Sequence, residues 1–475
     1  MSKDVPGAPL DSDLAADAPV APVVLEALVD IVAPLLTSPV DELHVAALLE
    51  SRGVTDRLAR ERYGHEDVFA LATTLMPALT HPVEEDPANA ERVHAWRALI
   101  HGPLYLAPSL VIPALLGAGD RRQLLLGLVT ATVVGWLWGM ATSVVGYQLR
   151  GLHKEATGAW AVQLMTAAGL AFMLLVGIGL AVAGVVTVVV VVAMSLQTAF
   201  QLGAGLLIFY RREIELALAV MPGIVAGAVY VGTGWRAALL GLTLGAAALS
   251  SFLTLAAAWH ASRRAMAVPD ATSSSVHISL RRTMAPPVAY AAVSALLLLF
   301  TDVHFVTSGP ELALAAAPLV LGMGGVEWRA ERFVEGAGDL LGRTSNVGSF
   351  RSTLWAWLGR ELGTVLAILL TPAALLVAWL HIVDRATPQS VLLSGGHVAL
   401  GAVFFLCFVL SRHGHFPWIV GAIAAVVLVY VAAVVAAGNH PDVVVPLFLA
   451  TATTLVLVLL GAFAGGTKNV QLFMW

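Results

Sequence analysis

From about Trp96 onward the chain alternates between apolar runs of roughly twenty residues and short polar breaks, the run length a helix needs to cross the hydrocarbon core of a bilayer. Twelve spans are predicted, over residues 97–117, 123–145, 160–183, 185–208, 214–233, 236–258, 284–302, 311–327, 361–381, 391–410, 417–437 and 443–463. Pro103, Pro108 and Pro113 interrupt the first, and the eighth is short. The third and fourth meet at Ala183–Gly184, where their joint apolar length is too great for one crossing, so a tight hairpin is expected. Two polar breaks are longer than the rest. His260–Pro287 holds Arg263, Arg264, Arg281 and Arg282 with one acid, Asp270, and divides the spans six and six. Glu327–Arg360 is the other, a cytoplasmic loop in this reading. Within it Phe350–Leu362 sets Leu354, Trp355, Trp357 and Leu358 beside Arg351 and Arg360, the pattern either of an interfacial helix or of a cytoplasmic extension of the ninth span.

Ahead of the spans the pattern changes. Residues 1–22, rich in Ala, Pro and Asp, are expected to be disordered. Residues 23–95 read as a small cytosolic helical module. Apolar residues fall at helical spacing over Val23–Leu36, Ser38-Pro39 starts a helix running to Gly53, Thr55-Asp56 caps one through Arg62, and a last covers Val68–Leu75. The expected organisation is then a six-helix bundle over 96–259, a central loop over 260–287, a second six-helix bundle over 288–465 and a tail over 466–475. The fold class is all-α and polytopic.

Composition agrees: 58% of the 475 residues are hydrophobic and 12% are charged, about half the charged share of a soluble domain. The charge is uneven. Residues 1–95 carry 17 of the 31 acids and 6 of the 26 basic residues, so an acidic head precedes a mildly basic membrane body. Loops after even-numbered spans hold fourteen Lys and Arg against four after odd-numbered ones, which places the even loops and both termini in the cytoplasm. The first twenty residues have no apolar core, so no signal peptide is expected. The abundance of Ala, Val and Leu with few Lys points to a GC-rich bacterial genome, and so to a cytoplasmic (inner) membrane protein.

Equivalent places in the two sets of spans look alike. The second span ends GMATSVVGYQLRG (139–151) and the eighth GMGGVEWRAERFVEG (322–336). LIFYRREIELALAVMPGIVAG (207–227) and CFVLSRHGHFPWIVGAIAA (407–425) each place an Arg turn before a span bearing Pro and Gly. This is the mark of parallel internal repeats. Six plus six spans, both termini inside, a long central loop and short basic turns after spans four and ten resemble the multidrug/oligosaccharidyl-lipid/polysaccharide (MOP) flippase superfamily, its polysaccharide and lipid-linked-oligosaccharide branch more than its drug-extruding branch. The resemblance covers residues 97–465; the acidic head and the 327–360 segment depart from it. It implies two halves around a central cavity that opens alternately to either side.

Within the spans the acids stand at ends: Asp302 and Glu311 outward, Glu327 inward. A carboxylate deep in the membrane, which a drug/cation antiporter would need, is missing from this reading. Gln163, Gln197 and Gln201 form a candidate amide stripe that either hydrogen-bonds sugar hydroxyls or fixes helix packing. His101 and His397 are lone span histidines, read as packed or cavity-lining ahead of proton carriers, and Trp136 and Trp138 either stack on sugars or face lipid. Arg281, Arg282, Arg211 and Arg212 could meet a lipid diphosphate, although the positive-inside rule alone also explains them. Cys407, the only cysteine, excludes an intrachain disulfide. No nucleotide, zincin or hydrolase motif is present, and His413-Gly-His415 lacks a third metal ligand, so neither cofactor nor metal is expected.

The reading is a flippase or exporter of a lipid-linked saccharide or polysaccharide, not an enzyme, that contacts the lipid bilayer and has no nucleic-acid partner. Residues 23–95 would dock a cytoplasmic biosynthetic enzyme. The alternative is a non-transporting membrane scaffold of an envelope-polysaccharide complex. A membrane glycosyl- or acyltransferase is disfavoured because the loops that would carry its catalytic groups are short.

Overall fold

The structure, a computed structural model, describes residues 28, 41–51, 53–79, 87–234, 236–270, 280–306, 312, 314–343, 347–412, 416–438 and 440–466. They fall into two compact units, Met1–Glu91 and Arg92–Trp475.

In the first unit, helices α1 (Glu42–Ser51), α2 (Asp56–Tyr63) and α3 (Val68–Leu79) form where capping residues permit. The Asp41 carboxylate accepts from the His44 amide at 2.8 Å, Thr55 Oγ1 from Leu58, and Asp67 from Ala70 at 2.7 Å, each satisfying a first-turn donor. Gly64, in the left-handed conformation at φ 68°, ends α2. Val45, Leu49, Ala59, Val68, Leu71 and Leu75 close a fully buried core. The expected helix over Val23–Leu36 and the Ser38 cap lie, Leu28 apart, outside the described residues.

The second unit is a bundle of long helices. The first span is broken into α4 (Pro87–Leu106), which holds Pro103, a 3₁₀ stretch Ala107–Val111 with Pro108, and α5 (Ile112–Gly117) with Pro113. Then follow α6 (Arg121–Gly151), α7 (Glu155–Val182), α8 (Val188–Phe209), α9 (Glu213–Gly232), α10 (Ala237–Met266), α11 (Leu280–Val306), α12 (Ala317–Arg343), α13 (Val347–Ile382), α14 (Pro388–Arg412), α15 (Phe416–Ala436) and α16 (Pro441–Gly466). Every predicted span has its helix, and eleven are long and apolar enough to cross a bilayer by length and composition. The one that falls short is the eighth span, α12, which carries Glu327, Arg329, Glu331 and Arg332. Gly184, at φ 72°, makes the expected hairpin between α7 and α8.

The polar breaks are shorter than expected. Residues 327–343 and 347–360 are the extended ends of α12 and α13, and Phe350–Leu362 is a continuous part of the 36-residue α13, so the extension reading holds and the interfacial helix does not. Helix also consumes both ends of the 260–287 connection, because α10 runs to Met266 and α11 starts at Leu280. Asp270 then accepts from the Thr157 hydroxyl and, at 3.1 Å, from its amide, tying the connection to the first turn of α7. These donors hold the Asp270 carboxyl below its ordinary range, so the tie is present at neutral pH and is lost as acid protonates it.

The two sets of six spans share one packing order. In the first, α6, α7 and α8 pack on one another, α8 and α9 pack on α10, and the first span lies against α9 and α10. In the second, α12, α13 and α14 pack on one another, α14 and α15 on α16, and α11 against α15 and α16. Even the α7–α10 contact recurs, through Trp355 of α13 edge-on to Phe463 of α16 at 5.2 Å. Close packing rests on small residues: Gly127, Ala131 and Gly135, four apart on one face of α6, admit Val190, Met194 and Gln201 of α8.

A buried ion pair joins α12 to α13. Arg329 Nε stands 2.9 Å from the Glu361 carboxylate, which has no exposure and also accepts from Trp357 at 2.9 Å and Arg360 at 3.2 Å. Glu361→Leu should cost about 3–5 kcal/mol, because it removes the carboxylate against which Arg329 is buried, while Arg329→Met with Glu361→Leu should recover most of the loss. Thermal unfolding of the detergent-solubilised protein checks both; a double variant as weak as the single one would be the contrary result.

Candidate functional site

The two halves meet through α6 on α11 and, at the place the repeat makes equivalent, through α4 on α12. The second contact is backbone against backbone. A Cβ at Gly102 of α4 would fall on the Leu321 carbonyl of α12, and one at Gly324 of α12 would fall on the Ala98 carbonyl of α4. Gly322 and Gly325 in turn admit Leu369 and Ile368 of α13, so α12 is glycine-lined on two sides. The contact lies toward the end of the bundle where the arginine-bearing turns collect, called here the basic end.

His101 sits inside this seam. Its Nδ1 is 3.5 Å from a Glu327 carboxylate oxygen on α12, and its Nε2 is 3.9 Å from a Glu213 oxygen at the start of α9. The imidazole is 12% exposed and Glu213 9%, while Glu327 reaches 37%. Both ring nitrogens are buried, and neither makes a hydrogen bond. Tyr105, one turn further along α4, has its ring centroid 6.2 Å from the imidazole. Nearby, the Tyr147 hydroxyl on α6 lies within electrostatic reach of Glu331 on α12 and Arg412 on α14, so charged groups of both halves gather at the basic end. One imidazole thus stands between a carboxylate of its own half and a carboxylate of the other.

The remaining candidates are dispersed. Gln163 does not line a cavity: its Nε2 donates to Ser262 Oγ at 2.6 Å and to the Trp259 carbonyl at 3.3 Å, sealing α7 to α10. Gln197 and Gln201 are half-buried on α8, and the Gln201 carbonyl oxygen, buried and without a hydrogen bond, turns to Gly135 of α6. The three amides therefore do not form one stripe. His397 has no exposure, with Nδ1 2.9 Å from the Leu393 carbonyl and its ring 5.1 Å from Phe448, a packing histidine rather than a cavity one. Trp138 donates to the Met165 carbonyl at 2.6 Å, within the first half, whereas Trp136 packs on the core of the second half. Arg211 turns the chain between α8 and α9 at φ 56°, and Arg212 pairs with Glu215 at 2.8 Å. Arg281 and Arg282 lie in the first turn of α11 with side chains outside the described residues, as are His413–His415. No group of three or more His, Cys, Asp or Glu side chains among the described residues could hold a metal ion.

Two features escaped the sequence reading. Glu213 stands one residue ahead of the fifth predicted span and Glu361 opens the ninth, and neither was singled out. Acids in first helical turns, or facing arginines from a neighbouring helix, were the available signal.

No family model matches the chain, and no curated protein sequence matches it. Among solved structures it is similar to an outward-facing multidrug resistance MATE family transporter of the MOP superfamily, with a TM-score of 0.50 at 13% identity over 81% of this chain and 97% of that one. It is also similar to the eukaryotic MATE transporter AtDTX14, with a TM-score of 0.50 at 14% identity over 81% of this chain and 98% of that one. The fold is therefore that of MATE transporters of the MOP superfamily.

Gly324→Ala should lower the thermal stability of the purified protein by roughly 1–3 kcal/mol, because the added methyl meets the Ala98 carbonyl across the seam. Gly338→Ala, on the same helix with open space around it, should be neutral or gain up to about 1 kcal/mol from helix propensity. Equal effects at the two positions would mean that the seam is not close-packed.

Proposed function

We propose that this chain is a membrane transporter that works by alternating access, with the basic ends of its spans in the cytoplasm of a bacterial cell and its acidic head on the same side. The shared packing order of the two halves carries the reading. Two bodies of one plan, each internally tied by glycine contacts and buried polar bonds, can rock against each other about the α4–α12 and α6–α11 seams. The MATE-like fold supports the same conclusion.

For the cargo we favour a lipid-linked saccharide or polysaccharide. What supports it is Trp136, set against the second half. An indole face suits a sugar ring. Glu213 and Glu327 at the seam favour a second reading, a cationic amphiphile. The scaffold alternative draws on the sealed Gln163 and His397. Residues 23–95, an acidic stretch, would dock a cytoplasmic biosynthetic enzyme.

Liposomes containing the full-length protein and a fluorescent lipid-diphosphate oligosaccharide should expose inner-leaflet label to an impermeant quencher at a rate that rises with protein content. Protein-free liposomes should protect that label. Export of an entrapped cationic dye without lipid exchange would assign the second cargo instead. If neither cargo moves, the scaffold reading replaces the transporter.

A further inference from the structure

The α4–α12 seam contains a charge arrangement that the transport reading does not by itself require. His101 is anchored in the first half, since Ile100 and Leu104 of its helix pack into a core with Leu207, Leu216 and Ala258. Glu327 is anchored in the second, since α12 is bound to α13 by the Arg329–Glu361 pair, by Gly322 and Gly325 against Leu369 and Ile368, and by Trp357 lying over Gly336. The His101–Glu327 contact is therefore a bond between two bodies that each hold together without it.

We infer that His101 is the cation of a pH-operated latch that holds the basic end of the two halves shut and releases it when the imidazole loses its proton. The inference rests on the alternating-access reading. As imidazolium, His101 attracts Glu213 on one side and Glu327 on the other, and the three groups sum to a single negative charge. When the proton leaves to water at the basic end, two carboxylates from opposite halves face each other across a neutral ring, and attraction becomes repulsion. Both ring nitrogens are buried, so the surroundings screen this change less than bulk water would. Other charged groups stand at this end too, among them Glu331 of α12 and Arg412 of α14, both within electrostatic reach of Tyr147. Tyr105 lies on the same helix, Tyr147 of α6 stands within electrostatic reach of Tyr105, and α10 packs Ala257, Ala258 and Ala261 against this part of the chain. Arg212, beside Glu213 in sequence, is held by Glu215. Closure should thus be strongest in acid and weaken as rising pH removes the imidazole proton.

The test is a distance between the halves in the full-length protein in lipid nanodiscs. The one native thiol is removed by Cys407→Ala, and spin labels are placed through Gly151→Cys on α6 and Gly338→Cys on α12, two positions with open space around them. Pulsed electron resonance should show the ratio of separated to closed populations rising about tenfold from acid to mildly alkaline pH. Glu327→Gln and His101→Gln should each abolish that dependence and favour separation, whereas His101→Lys, a cation across the whole range, should keep the seam closed. A pH response that survives both neutral variants, or a distribution that never changes with pH, overturns the latch. If the distance then still responds to cargo in the liposome assay, the transporter reading stands without it. If nothing moves and no cargo crosses, both readings fall.

Discussion

Helices in a bilayer gain little by hiding apolar side chains from one another, because lipid tails are as apolar as leucine. What holds such a bundle together is close backbone approach, and this chain obtains it with glycine. Gly127, Gly135 and Gly146 bring α6 onto α8, Gly203 brings α8 onto α10, and Gly396 and Gly401 let α14 sit at the centre of its half. The same device, applied between halves at Gly102 and Gly324, makes the α4–α12 seam. Where two backbones touch, any polar side chain between them is buried with few choices of partner. The environment of His101 follows from that constraint.

The ion pairs of α12 divide the work of one helix. Its Arg329 face is buried against Glu361 and fixes the helix to its own half; its Glu327 face looks across the seam to His101. Residues two apart on a helix point in different directions, so one stretch of charged sequence contacts both its own half and the other. The cost of burying Glu361 is offset by two arginines and an indole donor, whereas the contacts of His101 are longer and depend on its protonation.

The structure also moves the centre of interest from neutral polar groups to charged ones. Gln163 and His397, plausible cargo contacts in a linear reading, are internal ties. Among the described residues, the polar side chains between the halves include those of His101 and Glu327, with Trp136 from α6.

Much of the architecture was legible without coordinates, for a physical reason. Backbone groups in hydrocarbon must be satisfied within their own segment, so apolar runs of membrane length are helices, and twelve could be counted together with the hairpin at Gly184. The six-plus-six repeat was visible in the Gly-Met and Arg-turn echoes and reappears as a shared packing order. The direction in which a polar side chain points was not legible. Rotation of a helix about its axis leaves its hydropathy unchanged, so only packing decided that Gln163 turns to Ser262 and His397 to Phe448. Helix length beyond the membrane was equally hidden, because residues 327–343 and 347–360 are polar enough to be loop and become helix through the α12–α13 contact and the Arg329–Glu361 pair. The seam depended on tertiary structure most of all: His101, Glu213 and Glu327 lie more than a hundred residues apart in the chain and are brought together by the fold alone.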